Sequence, residues 1–234
     1  MSVYEKYPNF LGESGPSDIH GYGNYVLSID GEMGSPVFNL WFFDSGDYSK
    51  FPSIDGYDWI WGDQIQWYVT TSKSLESSNN STLNSFAFFH IPLPEHETML
   101  LEVPISGHQN EGVCHGSLNS GLFASMVERG EIKAATVGHD HCNDYCGNYL
   151  GVDLCYGGGT GYDGYGCADT PNWARRSRII ELQDYGQTIK SYKILDDGHL
   201  TKIDEEVLFS EDKTKVDRRN RKRVERIVKE IHED

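Results

Sequence analysis

The sequence contains no run of 18 apolar residues, so no segment of it reads as a helix that spans a bilayer, and no membrane partner is expected. Basic residues are scarce: 20 Lys and Arg stand against 36 Asp and Glu, a formal charge of -16. A general nucleic-acid binder needs a basic face, so that class is excluded. The opening residues, Met-Ser-Val-Tyr-Glu-Lys-Tyr-Pro, lack the apolar core of a signal peptide. Cysteines number only five, an odd count that leaves at least one without a partner in the chain. Cys142 and Cys146 are close enough to suggest zinc, but no second close pair exists to complete a structural site. Reduced, packing cysteines in a cytoplasmic protein are therefore the expectation. On that reading the overlapping sequons in Asn79-Asn80-Ser81-Thr82 are silent, because they count only in a secreted chain.

What the chain does hold suits one sizeable domain, or most of one, with a packed core. It has 234 residues, 38% hydrophobic and 12% aromatic. The 14 Tyr and 5 Trp favour strands and irregular loops over a helical bundle. Residues 1–23 read as an extended arm. Residues 24–29 and 39–43 read as strands that pair as a hairpin. A helix is expected over residues 63–75, with Ile65, Tyr68 and Val69 on its buried side, followed by a polar linker to residue 84. Residues 95–116 read as a long loop of the kind that often serves as a lid. Residues 119–130 form an amphipathic helix closed by Gly130. Strands follow at residues 150–156, 179–182 and 189–195. Residues 157–166 are a glycine-rich loop without a Walker lysine, so a nucleotide-binding P-loop is not expected. From residue 196 onward the chain is acidic and loosely patterned, ending in a charged helix over residues 216–232. The division expected is thus 1–195 for the domain and 196–234 for a charged tail.

The chemistry concentrates in Ala134-Ala135-Thr136-Val137-Gly138-His139-Asp140-His141. A short apolar strand breaks at a glycine, and a His-x-His pair follows. If the chain stays extended there, alternate side chains share a face about 6–7 Å apart, a spacing that lets each imidazole hold one ion of a close pair. Asp140 then faces the other way and takes a structural or supporting role. A second apolar strand, Phe86-Ala87-Phe88-Phe89, also ends in a histidine, His90, with prolines just beyond. Two strands that both end in histidine suggest one shared site. Asp44 and Asp47 also follow a strand, but the turn reading, with carboxylates bound to nearby amides, is preferred for them. Glu111 and His108 are weaker candidates for substrate contact.

These segments resemble the calcineurin-like metallophosphoesterases. The resemblance rests on Phe89-His90-Ile91-Pro92-Leu93-Pro94-Glu95, Asn119-Ser120-Gly121, Gly138-His139-Asp140-His141, Cys155-Tyr156-Gly157-Gly158 and Trp173-Ala174-Arg175-Arg176-Ser177-Arg178. Gly23-Asn24-Tyr25 and the segment 40–49 are similar to the branch that holds plant purple acid phosphatase 29-type and fungal cell-cycle phosphatase proteins. The resemblance implies an α/β (α+β) fold, the C-terminal part of a four-layer α-β-β-α sandwich. It implies a pair of divalent or trivalent metal ions, Fe, Zn or Mn, with His90 and His139 on one ion and His141 on the other. It also implies hydrolysis of a phosphate monoester, on a small molecule or a phosphoprotein. Three upstream blocks of the family, Asp-x-His, Gly-Asp-x-x-Asp and Gly-Asn-His-Asp/Glu, are absent from the sequence. The chain therefore resembles the second half of such a domain, and a catalytically inactive partial paralogue or binding module is the alternative expectation.

Overall fold

The computed structural model of the chain describes residues 3–167, 170–171 and 173–211. Two sheets organise it. The larger holds strands β1 (Tyr25–Asp30), β2 (Pro36–Phe42), β3 (Ser85–Phe88), β4 (Ile132–Val137), β5 (Cys146–Tyr149) and β6 (Val152–Tyr156), in the order β1-β2-β3-β4-β6-β5. The smaller holds β7 (Arg176–Gln183), β8 (Thr188–Leu195) and β9 (Lys202–Ser210) in that order. In the larger sheet β2, β3, β4 and β6 run parallel, while β1 and β5 close the edges antiparallel. Parallel neighbours need crossovers, and helices supply them. Helix α1 (Gly62–Asn79) joins β2 to β3, while α2 (Glu95–Glu102) and α3 (Leu122–Arg129) join β3 to β4.

Side-chain alternation on the central strands builds two cores. Ala135, Ala87, Leu154 and Trp41 face the helices and pack with Tyr68, Met99, Leu122, Phe123 and Met126. Their neighbours Ala134, Phe86 and Cys155 face the smaller sheet and pack with Ile189 and Leu208. A period of two explains why adjacent residues serve different layers. The described residues thus form a mixed α/β structure with an α-β-β order of layers. No helix among them is long and apolar enough to cross a membrane.

Several expectations shift. Helix α1 continues to Asn79, through half of the expected linker, and stops where Asn80 takes the left-handed conformation (φ 52°). Residues 95–102, expected within a loop, form α2 because Met99 and His96 are drawn into the core. The loosely patterned stretch after residue 196 contributes β9, whose Leu208 closes the inter-sheet core. The helix expected over residues 216–232 lies outside the described residues. The expectation of reduced cysteines, and with it the zinc-thiol alternative, is overturned. Cys142 is bonded to Cys167 and Cys146 to Cys155, leaving Cys114 as the free thiol. Spacing along the chain could not show this, because the Cys146–Cys155 bond crosses directly between paired strands.

One buried charge network ties the two sheets together. Asp144, with no exposed side-chain surface, receives the Arg176 guanidinium at 2.6 Å and the Lys193 ammonium at 3.0 Å. The His108 backbone amide adds a third hydrogen bond at 2.7 Å. Burial alone would push the Asp144 carboxyl up, but Lys193, Arg176 and that amide outweigh it and hold it below the usual carboxylate range. Arg178, itself buried, donates to the backbone carbonyls of Asp144 (2.6 Å) and Tyr156 (2.9 Å) and so adds two rivets between β7 and the larger sheet.

Two outcomes are expected from this packing. Asp144→Ala leaves the buried Arg176 guanidinium without its carboxylate and Lys193 with Asp204 alone, and should cost about 3–5 kcal/mol of stability in urea unfolding. His96 is fully buried, and desolvation lowers its pKa to about 3, so the folded chain keeps it neutral. Below about pH 6.5 the unfolded chain binds a proton that the folded chain refuses, so stability should fall by about 1.4 kcal/mol per pH unit down to about pH 3. A His96→Gln variant should lose that slope when unfolding midpoints are compared across pH.

Candidate metal centre

Parallel strands deliver their carboxyl ends to one edge of the sheet, and ligands collect there in open α/β sheets. Here that edge receives Ser45 just after β2, His90 just after β3, the 138–141 turn after β4 and the glycine-rich loop after β6. The three histidines singled out from the sequence therefore come from neighbouring strand ends.

The 138–141 stretch is not extended, contrary to expectation. His139 adopts the left-handed conformation at φ 70°, and the Asp140 amide donates back to the Gly138 carbonyl at 2.9 Å. Backbone of this kind in a residue with a side chain costs about 1–3 kcal/mol and clusters at functional sites. It turns His139 toward β3, where its Nδ1 stands 3.4 Å from Nε2 of His90. Gly138 makes the approach possible, since a Cβ there would meet the His90 ring nitrogen at 3.0 Å. Two nitrogens held tetrahedrally by one zinc-like ion at 2.0–2.1 Å stand about 3.3–3.4 Å apart. The pair thus has the separation that one shared ion requires. Burial, then the nearby His139 and His141 rings, lowers the pKa of His90 and favours the neutral imidazole, the form that ligates.

Ser45 sets the position of His90. Its buried hydroxyl accepts the amides of His90 (3.2 Å) and Ile91 (2.8 Å), so the chain leaves β3 at a fixed angle. Asp44 behaves as a turn residue, as preferred from the sequence, accepting the amides of Tyr22 (2.7 Å) and Gly46 (2.9 Å). The Tyr57 ring stands edge-on to His139 at 4.3 Å and limits its rotation.

His141 is organised separately. Its ring stacks on Tyr165 at 3.9 Å, nearly parallel to it, and its Nδ1 donates to the Tyr165 carbonyl at 3.0 Å. That bond fixes the tautomer and leaves Nε2 with its lone pair free, an arrangement common to metal-binding histidines. The glycine-rich loop can wrap so closely because Gly164 has no Cβ; one would fall 2.7 Å from the His141 ring. Arg175 holds the loop in place through the carbonyls of Gly164 (2.9 Å) and Tyr165 (3.1 Å), and the Cys142–Cys167 bond anchors its far end.

Asp140 is buried and structural. Its carboxylate accepts the Tyr156 hydroxyl at 2.6 Å and the Cys114 amide at 3.1 Å. Glu111, considered for substrate contact, instead accepts the Cys142 amide and the Tyr165 hydroxyl, strapping the 106–116 segment to the turn. Burial and then the Glu111 charge push the Tyr165 phenol up to about 12. His108 lies over Trp173 and beside Asp144.

Among the described residues, the one set of three side chains whose ligand atoms lie within 4.8 Å of one another is His108, Asp144 and Asp204. A cation already sits there: the Lys193 ammonium is 3.0 Å from Asp144 and 2.6 Å from Asp204. This set is an ion-pair cluster, and it does not compete with the strand-end histidines. His90, His139 and His141 do not form such a set among the described residues. Ser45 and Tyr165 were not found from the sequence. A serine in an Asp-Ser-Gly-Asp turn and a tyrosine in a glycine run carry no signal of their own until the strand order brings them to the histidines.

Ser45→Ala leaves two buried amides without an acceptor and should cost about 1–3 kcal/mol in equilibrium unfolding. The His90 ring resonances should shift in the same variant.

No protein-family model matches the chain. It is 41% identical over 241 residues to "Probable inactive purple acid phosphatase 29" of Arabidopsis thaliana, covering 92% of this chain and 61% of that protein. It is 35% identical over 206 residues to "Phosphatase DCR2" of Saccharomyces cerevisiae, covering 80% of this chain and 35% of that protein. A crystal structure of a dimetal phosphatase from Danio rerio aligns with 80% of this chain and 60% of that one, at TM-score 0.48 and 11% identity. The chain thus spans about three-fifths of the length of its plant relative and about a third of the yeast one. With two-fifths of its residues identical across nine-tenths of its length, the chain is a homologue of the plant purple acid phosphatase 29-type proteins.

Proposed function

We propose that the chain forms part of a metal-dependent phosphoric monoester hydrolase, and that His90, His139 and His141 are its contribution to a two-ion centre. The observation that carries this reading is the 3.4 Å approach of His139 Nδ1 to His90 Nε2 at the strand ends. His90 and His139 would hold one ion and His141 Nε2 the other. Bound there, zinc, iron or manganese ions would polarise the phosphoryl oxygens and lower the pKa of a bound water. The chain's own part is to orient three imidazoles. Ser45 fixes His90, the left-handed turn fixes His139, and the Tyr165 carbonyl fixes the His141 tautomer. The substrate class is a phosphate monoester, on a small molecule or a phosphoprotein. The two disulfides favour an oxidising compartment over the cytoplasm expected from the sequence.

A second reading, a catalytically inactive partial paralogue, has its own support. Among the described residues no carboxylate completes the His90–His139 pair into a three-ligand set. A histidine pair without a bridging carboxylate binds an ion loosely. The plant relative, moreover, is itself named as inactive.

Metal titration of the purified chain, read by calorimetry alongside hydrolysis of p-nitrophenyl phosphate, tests both readings. Zn²⁺ or Mn²⁺ should bind, and His90→Ala or His139→Ala should weaken binding by more than the roughly 10–100-fold that loss of an outer-shell partner costs. Hydrolysis by the chain alone should be slow. Absence of metal binding would remove the first reading. Fast hydrolysis that disappears in His139→Ala would remove the second.

A further inference from the structure

The overlapping sequons at residues 79–82 take on meaning once the cysteines are paired. Two disulfides among the described residues require folding in an oxidising compartment, the same route on which asparagine-linked sugars are attached. We propose that Asn80 carries an N-linked glycan and that Asn79 does not.

The two asparagines differ in surroundings although they are neighbours. Asn79 is the last residue of α1, and less than 1 Å² of its side-chain nitrogen meets solvent. That nitrogen is the atom to which a sugar would be joined, so a glycan on Asn79 would displace the final helical turn from its packing. Asn80 is exposed and takes the left-handed conformation that ends the helix, so its side chain departs from the body of the fold. Ser77, Ser78, Ser81 and Thr82 around it are short and uncharged, and Ser77, Ser78, Ser81 and Thr82 are themselves exposed. A bulky, solvated modification fits there without burying a charge.

The site also lies away from the strand ends that carry the histidines. Residues 82–84 lead directly into the first residue of β3, whereas His90 follows its last. A glycan on Asn80 therefore covers the amino-terminal end of the parallel strands and leaves the opposite end open.

The transfer has a defined chemistry. Nδ2 of Asn80 attacks the anomeric carbon of an oligosaccharide carried on a polyprenyl pyrophosphate, supplied by the membrane of the compartment. A carbon–nitrogen bond forms, and the carbon–oxygen bond to pyrophosphate breaks with its electrons leaving on the lipid pyrophosphate. One amide proton is lost to base.

The overlap of the sequons gives a sharp test. Thr82→Ala destroys only the sequon of Asn80, and Ser81→Ala destroys only that of Asn79. The full chain, secreted from a eukaryotic host behind a cleavable leader, should show one mobility step that an amide-cleaving glycosidase removes. That enzyme should convert Asn80, read by peptide mass, to aspartate. The step should vanish in Thr82→Ala and in Asn80→Gln, and persist in Ser81→Ala. Titration of the unreduced protein should find one free thiol. An unshifted wild-type chain, a glycan on Asn79, or a step that survives Thr82→Ala would overturn the proposal. Five free thiols would do so as well, since the oxidising route on which it rests would be gone.

Discussion

The arrangement depends on one buried carboxylate. Asp144 follows the His-x-His turn by three residues, and it is the point where the turn is bolted to the second sheet through Arg176 and Lys193. A lone buried carboxylate is strongly unfavourable, and so is a lone buried lysine. Each is tolerated here because the other is present, along with the guanidinium and the His108 amide. The consequence is geometric. The segment that presents His139 and His141 is pinned at its far end, so its strained backbone cannot relax into the extended form.

The Trp-Ala-Arg-Arg-Ser-Arg segment follows the same logic. Arg175 reaches the glycine-rich loop, Arg176 reaches Asp144, and Arg178 reaches the backbone of Asp144 and Tyr156. Three arginines, Arg175 just before β7 and Arg176 and Arg178 on it, thus fasten three different pieces of the site. The Arg176 guanidinium also stands over the Trp173 ring, 3.3 Å from its centre, a cation–π contact beside its ion pair with the carboxylate.

Much of this was legible in the sequence. The central strands, the amphipathic α3 and both histidine-terminated strands follow from hydrophobic period and from glycine or proline stops. His90, His139 and His141 were singled out because two apolar strands run into histidines, and the strand order does bring those strand ends side by side. Other features were hidden. Strand β9 reads as a tail because its alternating pattern, Ile203, Glu205, Val207 and Phe209 against Asp204, Glu206 and Leu208, is diluted by acids that pair with Lys193 and Arg178 across the sheet and with Lys202 along β9 itself. The disulfides were hidden because pairing depends on which strands become neighbours. The left-handed turn at His139 was hidden because a non-glycine residue in that conformation is held by its surroundings, not by its own preference.

Homology and site geometry meet at the His90–His139 pair, and its proposed use of a single ion is the central claim. X-ray absorption of the zinc-loaded chain tests it most directly. The account predicts nitrogen neighbours at about 2.0–2.1 Å with an imidazole signature that weakens in His90→Ala. A sulfur neighbour at about 2.3 Å, or a spectrum unchanged in His90→Ala, would contradict it.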